Sequence, residues 1–430
     1  MVVKGSCSFL KFWEKILYFS PVENVVVTGM GCVSSLGNFP DELWRNLLLG
    51  KSGVAPIERF DASAFTSQIA GEVRNFPPSE FCTKRDQSRF SRYVTYAIFA
   101  AQQAVRDAGI FPANEDPGRC GVIIGSSIGG MKHYNDAAVT LSTRGPNRVS
   151  PFFIPMAIVN MASGEVCNRL GWMGPSYSVT SACATSNHSI ASAFDQIRLG
   201  RADVMLAGGA EETVNPLGLA GFTSMHAVSK RNDSPETASR PFDRDRDGFV
   251  MGEGAGVLVL ESEAHARARG ARILARIAGV GFSADAYHIS APREDGLGVQ
   301  LAMQNALRDA ALAPENIGYI NAHGTSTPLG DIAECRAIEK VFEASPNLKI
   351  NSTKSMLGHC LGAAGALEAI ATVFSLREQK LHATINVFNQ DPEIHLDVCA
   401  NVACNHNFDY AMSNSFGFGG QNSAIIFARN

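Results

Sequence analysis

Three side chains able to act as nucleophile or proton carrier stand where short apolar runs give way to small residues. Cys183 lies in Ser178-Val-Thr-Ser-Ala-Cys-Ala-Thr-Ser-Asn-His188 and His323 in Asn321-Ala-His-Gly-Thr-Ser-Thr-Pro-Leu-Gly-Asp331. His359 follows Lys354 in Ile350-Asn-Ser-Thr-Lys-Ser-Met-Leu-Gly-His-Cys-Leu-Gly-Ala-Ala-Gly365. A thiol at a helix start faces unpaired backbone N–H groups and the positive end of the helix dipole, and both favour the thiolate. The same position disfavours an imidazolium and suits a neutral histidine that makes one hydrogen bond. A fourth stretch, Met412-Ser-Asn-Ser-Phe-Gly-Phe-Gly-Gly-Gln-Asn422, can offer backbone N–H groups to an anion and leaves Phe416 and Phe418 room to move. The plainer alternative is that Cys183 is a small buried hydrophobe, the commonest fate of a free cysteine, and that each histidine is structural. Two histidines at equivalent loop positions weigh against it.

The elements that must position these groups read as alternating strands and helices. Asn24 to Gly31 is an apolar strand ended by glycines, and Pro40 opens a helix through Leu49. The Gly29 to Gly37 run lacks the spacing of a dinucleotide loop. A long amphipathic helix to about Asp107 follows a cluster of Lys84, Arg85, Arg89 and Arg92, which is either a solvated face or a docking site for something acidic. Gly121 to Gly130 is a buried strand entering a glycine-rich loop in which Ile128 is the one bulky side chain. Pro151 to Pro155 reads as a rigid connector, Ser178 to Thr180 as a short strand, and Ser189 to Arg198 as a helix. Phe242 to Asp247 has part of a calcium-loop pattern without its distal glutamate, so an ion-paired turn is the better reading and no metal is expected. From Ile273 the alternation restarts: apolar strand and glycines to Gly281, a helix from Gly298 to Ala311, and a strand at Tyr319 to Ala322. Similar element order in two halves points to an internal duplication.

Composition narrows the class further. A chain of 430 residues, 45% apolar and 18% charged, with 40 glycines, suits a turn-rich α/β protein. A net charge of −4 gives no global field for nucleic acid. The ten cysteines are scattered without a disulfide spacing and are read as reduced. No apolar run is long enough to span a bilayer. Residues 1–22 read as a leader or flexible N-terminus, and together with the cysteine content they tilt the expected location toward mitochondrial rather than cytoplasmic.

With Cys183, His323, Lys354, His359 and Phe-Gly-Phe-Gly-Gly assembled, the chain closely resembles the β-ketoacyl-acyl-carrier-protein synthases, in particular the elongating synthase II type. The resemblance covers residues 23 to 430. It implies a thiolase-like duplicated α/β fold in five layers, α/β/α/β/α, with an N-terminal half at 23–272 carrying the cysteine and a C-terminal half at 273–430 carrying the histidines. It implies an acyltransferase that elongates fatty acids by decarboxylative Claisen condensation, usually as a homodimer. Carried over by motif, Cys183 takes the acyl chain as a thioester, and His323 and His359 assist decarboxylation of malonyl-acyl-carrier protein. Lys354, linked to a glutamate matching Glu368, keeps the histidines and local water in order. The N–H groups of Cys183 and Phe418 form an oxyanion hole, with Phe418 as a gate beside Phe416. Thr325 and Thr327 match residues that hold the phosphopantetheine arm, which arrives on the carrier, so no resident cofactor is implied. Ile128 and Phe222 match acyl-tunnel positions, although tunnel wall and core packing are equally good readings of both.

Three departures bear on the carry-over. Ser181 stands where the family commonly has Thr, Gln421 replaces the usual Thr after Gly-Gly, and His226 lies where bacterial relatives often carry an arginine for the carrier. Carrier docking then falls to Arg89, Arg92, Lys230 and Arg231, because carrier proteins are acidic. A biosynthetic thiolase would need a second cysteine in the C-terminal glycine loop, where this chain has Phe. A synthase III-type initiator pairs Cys and His with Asn, which His359 argues against. A polyketide synthase module would bring flanking domains, and a non-catalytic partner subunit commonly loses the nucleophile retained here.

Overall fold

The computed structural model describes residues 23–430, so the leader reading for 1–22 falls outside the described residues. Ten strands, β1 (Val25–Val33), β2 (Cys120–Gly125), β3 (Ser176–Tyr177), β4 (Val204–Glu211), β5 (Gly254–Ser262), β6 (Ala275–Ala284), β7 (Ile317–Asn321), β8 (Lys349–Asn351), β9 (Tyr410–Gly417) and β10 (Gln421–Ala428), join in the order β8-β7-β9-β10-β6-β1-β5-β4-β2-β3. Outward from the centre, each half runs first, fifth, fourth, second, third strand. The sense of pairing repeats as well: the second strand is parallel to the third and fourth, and the fifth is antiparallel to the fourth and first. The halves meet where β1 and β6 pair antiparallel, Val25 opposite Ile277 and Val27 opposite Ala275. The fold is therefore a duplication related by a pseudo-twofold axis.

Five helices complete the layers: α1 (Arg92–Ala108), α2 (Thr185–Arg198), α3 (Leu297–Ala310), α4 (Pro328–Val341) and α5 (Ala364–Glu378). Strand side chains alternate between two buried faces, as sheets covered on both sides require. In β5, Leu258 and Leu260 join the central core with Phe194 and Ile197 of α2 and Leu367, Ile370 and Phe374 of α5. Val257 and Val259 face α1 instead. In β10, Ile425 and Phe427 point to the central core, while Ala424 and Ile426 face α3 and α4. The result is α/β/α/β/α.

Each half brings its outer helix unusually close to its first strand. A Cβ on Gly31 would sit 1.9 Å from the Ala100 carbonyl oxygen, and one on Gly281 would sit 2.1 Å from that of Ala302. Gly29 meets Ala104 and Gly279 meets Ala306 in the same way. The helix polar residues correspond too: Asp107 accepts the Met30 N–H at 3.0 Å and Asp309 accepts the Val280 N–H at 2.9 Å. The Gly-x-Gly of the first strand thus serves helix packing, which explains why it lacks a nucleotide-loop spacing.

Local differences from the sequence reading have simple causes. Residues 178–180 are not a strand: β3 pairs with β2 only at Ser176 and Tyr177, and the chain then turns inward, Thr180 Oγ1 donating to the Ser126 carbonyl at 3.0 Å. The supposed connector at 151–155 contains the start of a helix, Phe153–Ala157. Pro155 is its third residue, where a missing N–H costs no intrahelical bond. The Phe242 to Asp247 turn is ion-paired, with Arg246 bonded to Asp391 at 2.8 Å and 3.4 Å from Asp331. Asp243 accepts the backbone N–H groups of Phe388 and Asn389, each at 2.8 Å.

Candidate active site

Cys183 sits in a 3₁₀ turn, Ala182–Ala184, that runs into α2. Ala182 takes a left-handed φ of 49°, which sharpens the turn and carries the thiol out of the line of β3. Its neighbour across the cavity is the hairpin between β9 and β10. Gly417 lies so near that a Cβ there would be 2.5 Å from the Ser181 carbonyl oxygen and 3.2 Å from the Cys183 nitrogen. That approach brings the backbone N–H of Phe418 to the sulfur, alongside the N–H of Cys183 itself.

The expected thiolate is not what this environment favours. Burial pushes the Cys183 thiol up to about 12, against the opposing pull of Lys354 and of the two N–H groups. The helix start and its dipole are present, but loss of hydration in a closed pocket outweighs them. The balance favours the neutral thiol at rest.

His323 follows β7. Its backbone N–H and that of Gly324 donate to the two carboxylate oxygens of Glu334, at 2.8 and 2.7 Å, which fixes the loop to α4. Burial pushes the Glu334 acid up to about 7. His359 is held by its own N–H, bonded to the Val250 carbonyl at 2.7 Å, and its ring Nδ1 accepts the Leu361 N–H at 3.3 Å. The proton of the neutral ring is therefore on Nε2. Burial lowers both imidazoles well below their usual range and Lys354 adds to the effect, so both are neutral at pH 7. The rings lie 5.3 Å apart at 84°, and the Cys183 sulfur and one nitrogen of each ring fall within 4.8 Å of one another. Cys with two His is also a donor set that zinc would accept.

Lys354 Nζ donates to Glu368 on α5, both buried. Burial raises the Glu368 acid while Lys354 opposes that rise, and its second oxygen, Oε2, has no partner among the described residues. A cavity of about 570 Å³ opens in front of these groups, lined by Cys183, His323, His359, Phe222, Phe249, Thr325, Thr327, Phe416 and Phe418. The hydroxyls of Thr325 and Thr327 are 2.9 Å apart. Phe416 is 5.6 Å from the His323 ring, and Phe418 remains 38% exposed. Phe222 packs edge-on against Phe249 at 5.3 Å, and Phe249 against His359 at 5.4 Å.

Ile128 does not line this cavity. The residues just before it are held by Glu211, which accepts the Ser126 hydroxyl at 2.9 Å, the Ser127 N–H at 2.8 Å and the Gly362 N–H at 3.1 Å. The four cations expected to meet a carrier also stand off the cavity, with different degrees of freedom. Arg92 and Lys230 are exposed, whereas Arg89 lies over the Phe152 ring at 4.7 Å. Arg231 donates to the Asp245 carbonyl at 2.5 Å and is 3.6 Å from Asp247. Of the departures, Ser181 bonds His188 Nδ1 at 2.8 Å, Gln421 pairs across to Ala284, and His226 borders the cavity mouth. Glu334 and Asp331 bind the His323 loop through its backbone; from the sequence Asp331 reads only as a helix-start signal, and Glu334 is not singled out. Two acids three apart at the start of the helix after that loop were the available signal.

A duplicated five-layer α/β fold with a cysteine at one helix start and two neutral histidines from the other half defines the thiolase-like acyltransferases. Residues 22–266 match the family described as "Beta-ketoacyl synthase, N-terminal domain" and residues 274–388 its C-terminal domain. The chain belongs to the β-ketoacyl synthase family. It is 48% identical to the chloroplastic 3-oxoacyl-[acyl-carrier-protein] synthase I of Hordeum vulgare, over 95% of this chain and 89% of the relative. It is 47% identical to 3-oxoacyl-[acyl-carrier-protein] synthase 2 of Vibrio cholerae, over 94% and 99%. Among solved structures it matches a β-ketoacyl synthase from Burkholderia phymatum, with TM-score 0.88, 35% identity and coverage of 95% of this chain and 100% of that one. A type II polyketide ketosynthase, solved with its acyl-carrier protein and bound to the hexaketide, matches with TM-score 0.88, 34% identity and coverage of 95% and 100%. These two relatives are chloroplastic and bacterial, and among the described residues no helix is long and apolar enough to cross a membrane.

Proposed function

We propose that this enzyme elongates fatty acids: an acyl group on Cys183 condenses with malonyl-acyl-carrier protein to give 3-oxoacyl-acyl-carrier protein and CO2. The observation that carries this reading is the convergence of the Cys183 sulfur and the two imidazoles within 4.8 Å, with the Cys183 and Phe418 N–H groups at the sulfur. In the first half-reaction the thiol attacks the carrier thioester. A new C–S bond forms at Cys183, the carrier C–S bond breaks, and the thiol proton ends on the leaving carrier thiolate. Because the resting thiol is neutral, proton removal accompanies attack, and a neutral imidazole beside it can relay the proton. The two N–H groups stabilise the tetrahedral oxyanion.

In the second half-reaction malonyl loses its carboxylate as CO2, and the electron pair passes to the thioester enolate. Nε2–H of His359 and the His323 ring donate hydrogen bonds to the enolate oxygen. Their neutrality matters here, because a charged imidazolium would stabilise the carboxylate that must leave. The carbanion attacks the Cys183 acyl carbon, and the released thiolate takes up one proton. Lys354 and Glu368 order this side of the cavity, Thr325 and Thr327 hold the phosphopantetheine arm, and Phe418 with Phe416 gates malonyl entry. Phe222 forms part of the acyl wall. The reading needs no metal or resident cofactor.

The acidic carrier docks through Arg92 and Lys230, with Arg89 and Arg231 in support. The homodimer reading is supported by β3, an edge strand paired on one side only, and by Met173 beside it, 79% exposed. A mitochondrial location rests on residues 1–22 and the cysteine content; import into isolated mitochondria and chloroplasts decides between them. The reaction is tested by supplying a medium-chain acyl carrier and malonyl carrier. A product two carbons longer, with one CO2 per product, is expected; CO2 release without elongation would contradict the assignment.

A further inference from the structure

Behind the histidine side of the cavity lies a polar chain that the reaction as described does not use. Asn321, at the end of β7, donates from Nδ2 to the Thr353 hydroxyl at 2.8 Å. Thr353 Oγ1 lies 3.0 Å from His382 Nε2, and His382 Nδ1 lies 2.9 Å from the Ala383 carbonyl. A carbonyl can only accept, so Nδ1 carries the ring proton and Nε2 is an acceptor. The direction of every bond follows: amide to hydroxyl to imidazole to carbonyl. All three side chains are fully buried.

Thr353 occupies the N-cap of the Lys354–Leu357 helical turn, yet its hydroxyl makes no capping bond. A Thr in that place ordinarily caps the turn. Here the hydroxyl is committed to the neighbouring strand end and to His382. Two further bonds reinforce the arrangement: Asn321 Nδ2 reaches the Tyr319 hydroxyl at 3.1 Å, and Asn351 Nδ2 donates to the His382 carbonyl at 2.7 Å. Trp44, from the first half, sets its ring edge-on to His382 at 6.3 Å and stacks on Phe374 at 5.5 Å. The ring thus sits between a wall supplied by the other half and the two strand ends that carry the chemistry.

We infer that His382 is a positioning residue, which through Thr353 and Asn321 locks the Lys354 loop and the His323 loop in one register. Buried polar groups are costly unless bonded, and every donor in this chain is bonded, with Asn321 Oδ1 the one atom of the three side chains that has no partner among the described residues. What it fixes is relative placement: Asn321 is two residues before His323 and Thr353 is one before Lys354. Nothing in it touches the Cys183 turn, which belongs to the first half. Loss of the chain should therefore impair malonyl decarboxylation and spare acyl loading. The inference rests on the proposed division of labour between the histidines and Cys183.

The test measures both half-reactions separately in full-length protein: acyl transfer from acyl carrier to Cys183, and decarboxylation of malonyl carrier. Thr353→Val is nearly isosteric and removes the central hydroxyl; His382→Gln retains an acceptor for it, and His382→Leu does not. Thr353→Val and His382→Leu are expected to slow decarboxylation on the order of tenfold, with acyl loading within about twofold of the parent, and His382→Gln to recover most of the loss. Combining Thr353→Val with His382→Leu should be no worse than either alone. Equal loss of both half-reactions, or full decarboxylation in Thr353→Val, overturns the inference. His323→Ala in parallel separates the two levels. Decarboxylation lost in His323→Ala but intact in Thr353→Val overturns the positioning role alone, whereas decarboxylation intact in both overturns the site assignment with it.

Discussion

The turns that start α2 and α5 are copies of one backbone device put to different uses. Ala182 and Leu361 take left-handed φ values of 49° and 46°, and each opens a 3₁₀ turn, Ala182–Ala184 or Leu361–Ala363, that continues into a buried helix. In the first copy the residue after the strained one is Cys183. In the second it is Gly362, where a Cβ would lie 2.5 Å from a Glu211 oxygen and 2.6 Å from the Ser127 nitrogen. A side chain there has no room, and the second half instead presents His359, three residues earlier. Duplication therefore supplied two helix starts facing one cavity, and the halves divided the labour. On the proposed mechanism the first holds the acyl chain, and the second, which also carries His323, Lys354, Glu368 and Glu334, manages the carboxylate and the proton.

That division can be broken most forcefully at the histidines. His323→Ala or His359→Ala should lower malonyl decarboxylation about a hundredfold, the usual effect of removing one donor to a developing oxyanion, while acyl loading falls far less. Separate single-turnover assays check it, and equal losses would mean that the halves are not specialised.

The structural equivalence of the halves is tested at the glycines. Gly31→Ala and Gly281→Ala each force a methyl against helix backbone, so each should destabilise by about 1–3 kcal/mol, read as a shift in denaturant midpoint. A large effect at one and none at the other would show that the packing is not shared.

A third test uses pH. Burial holds the folded-state pKa of His382 at about 4, against an ordinary 6.5. Between those values the unfolded chain binds a proton that the folded one does not, so this group lowers stability as pH falls from 6.5 toward 4. The buried Glu334 and Glu212, each raised to about 7, act oppositely, because the folded state keeps protons there that the unfolded chain has released. Comparing the parent with His382→Gln isolates the histidine: the parent's stability should fall faster by about 1.4 kcal/mol per pH unit across that window. Identical slopes would place a proton on His382 in the folded state.

The smallest expected effect concerns the carrier. Its KM should rise several-fold on going from low to physiological salt, and Arg92→Ala with Lys230→Ala should flatten that dependence more than changes at Arg231, which is already engaged by Asp247.

Much of the architecture was legible because it rests on local patterns. Strand alternation, the Gly-x-Gly of the first strand of each half, and small residues after Cys183 and His359 are all written within a few residues. The order of pairing in the sheet was not, since it depends on contacts between residues far apart. The burial of Cys183 was not legible for the same reason: a helix start can be read from sequence, whereas the depth at which the β9–β10 hairpin of the second half covers it cannot. The loop before Ile128 shows the same limit, because the Glu211 carboxylate that holds it lies more than eighty residues further along. The Asn321–Thr353–His382 chain unites three separate segments and became visible only when they were folded together.

The central claim, that Cys183 holds the acyl chain while the other half makes the carbanion, is tested most directly by trapping the intermediate. The enzyme would be incubated with a medium-chain acyl carrier protein without malonyl substrate, digested, and its peptides mapped by mass. The account predicts one acyl adduct, on the peptide carrying Cys183, that disappears with release of elongated product when malonyl carrier is added. An adduct on another cysteine, or one on Cys183 that malonyl carrier does not discharge, would contradict it.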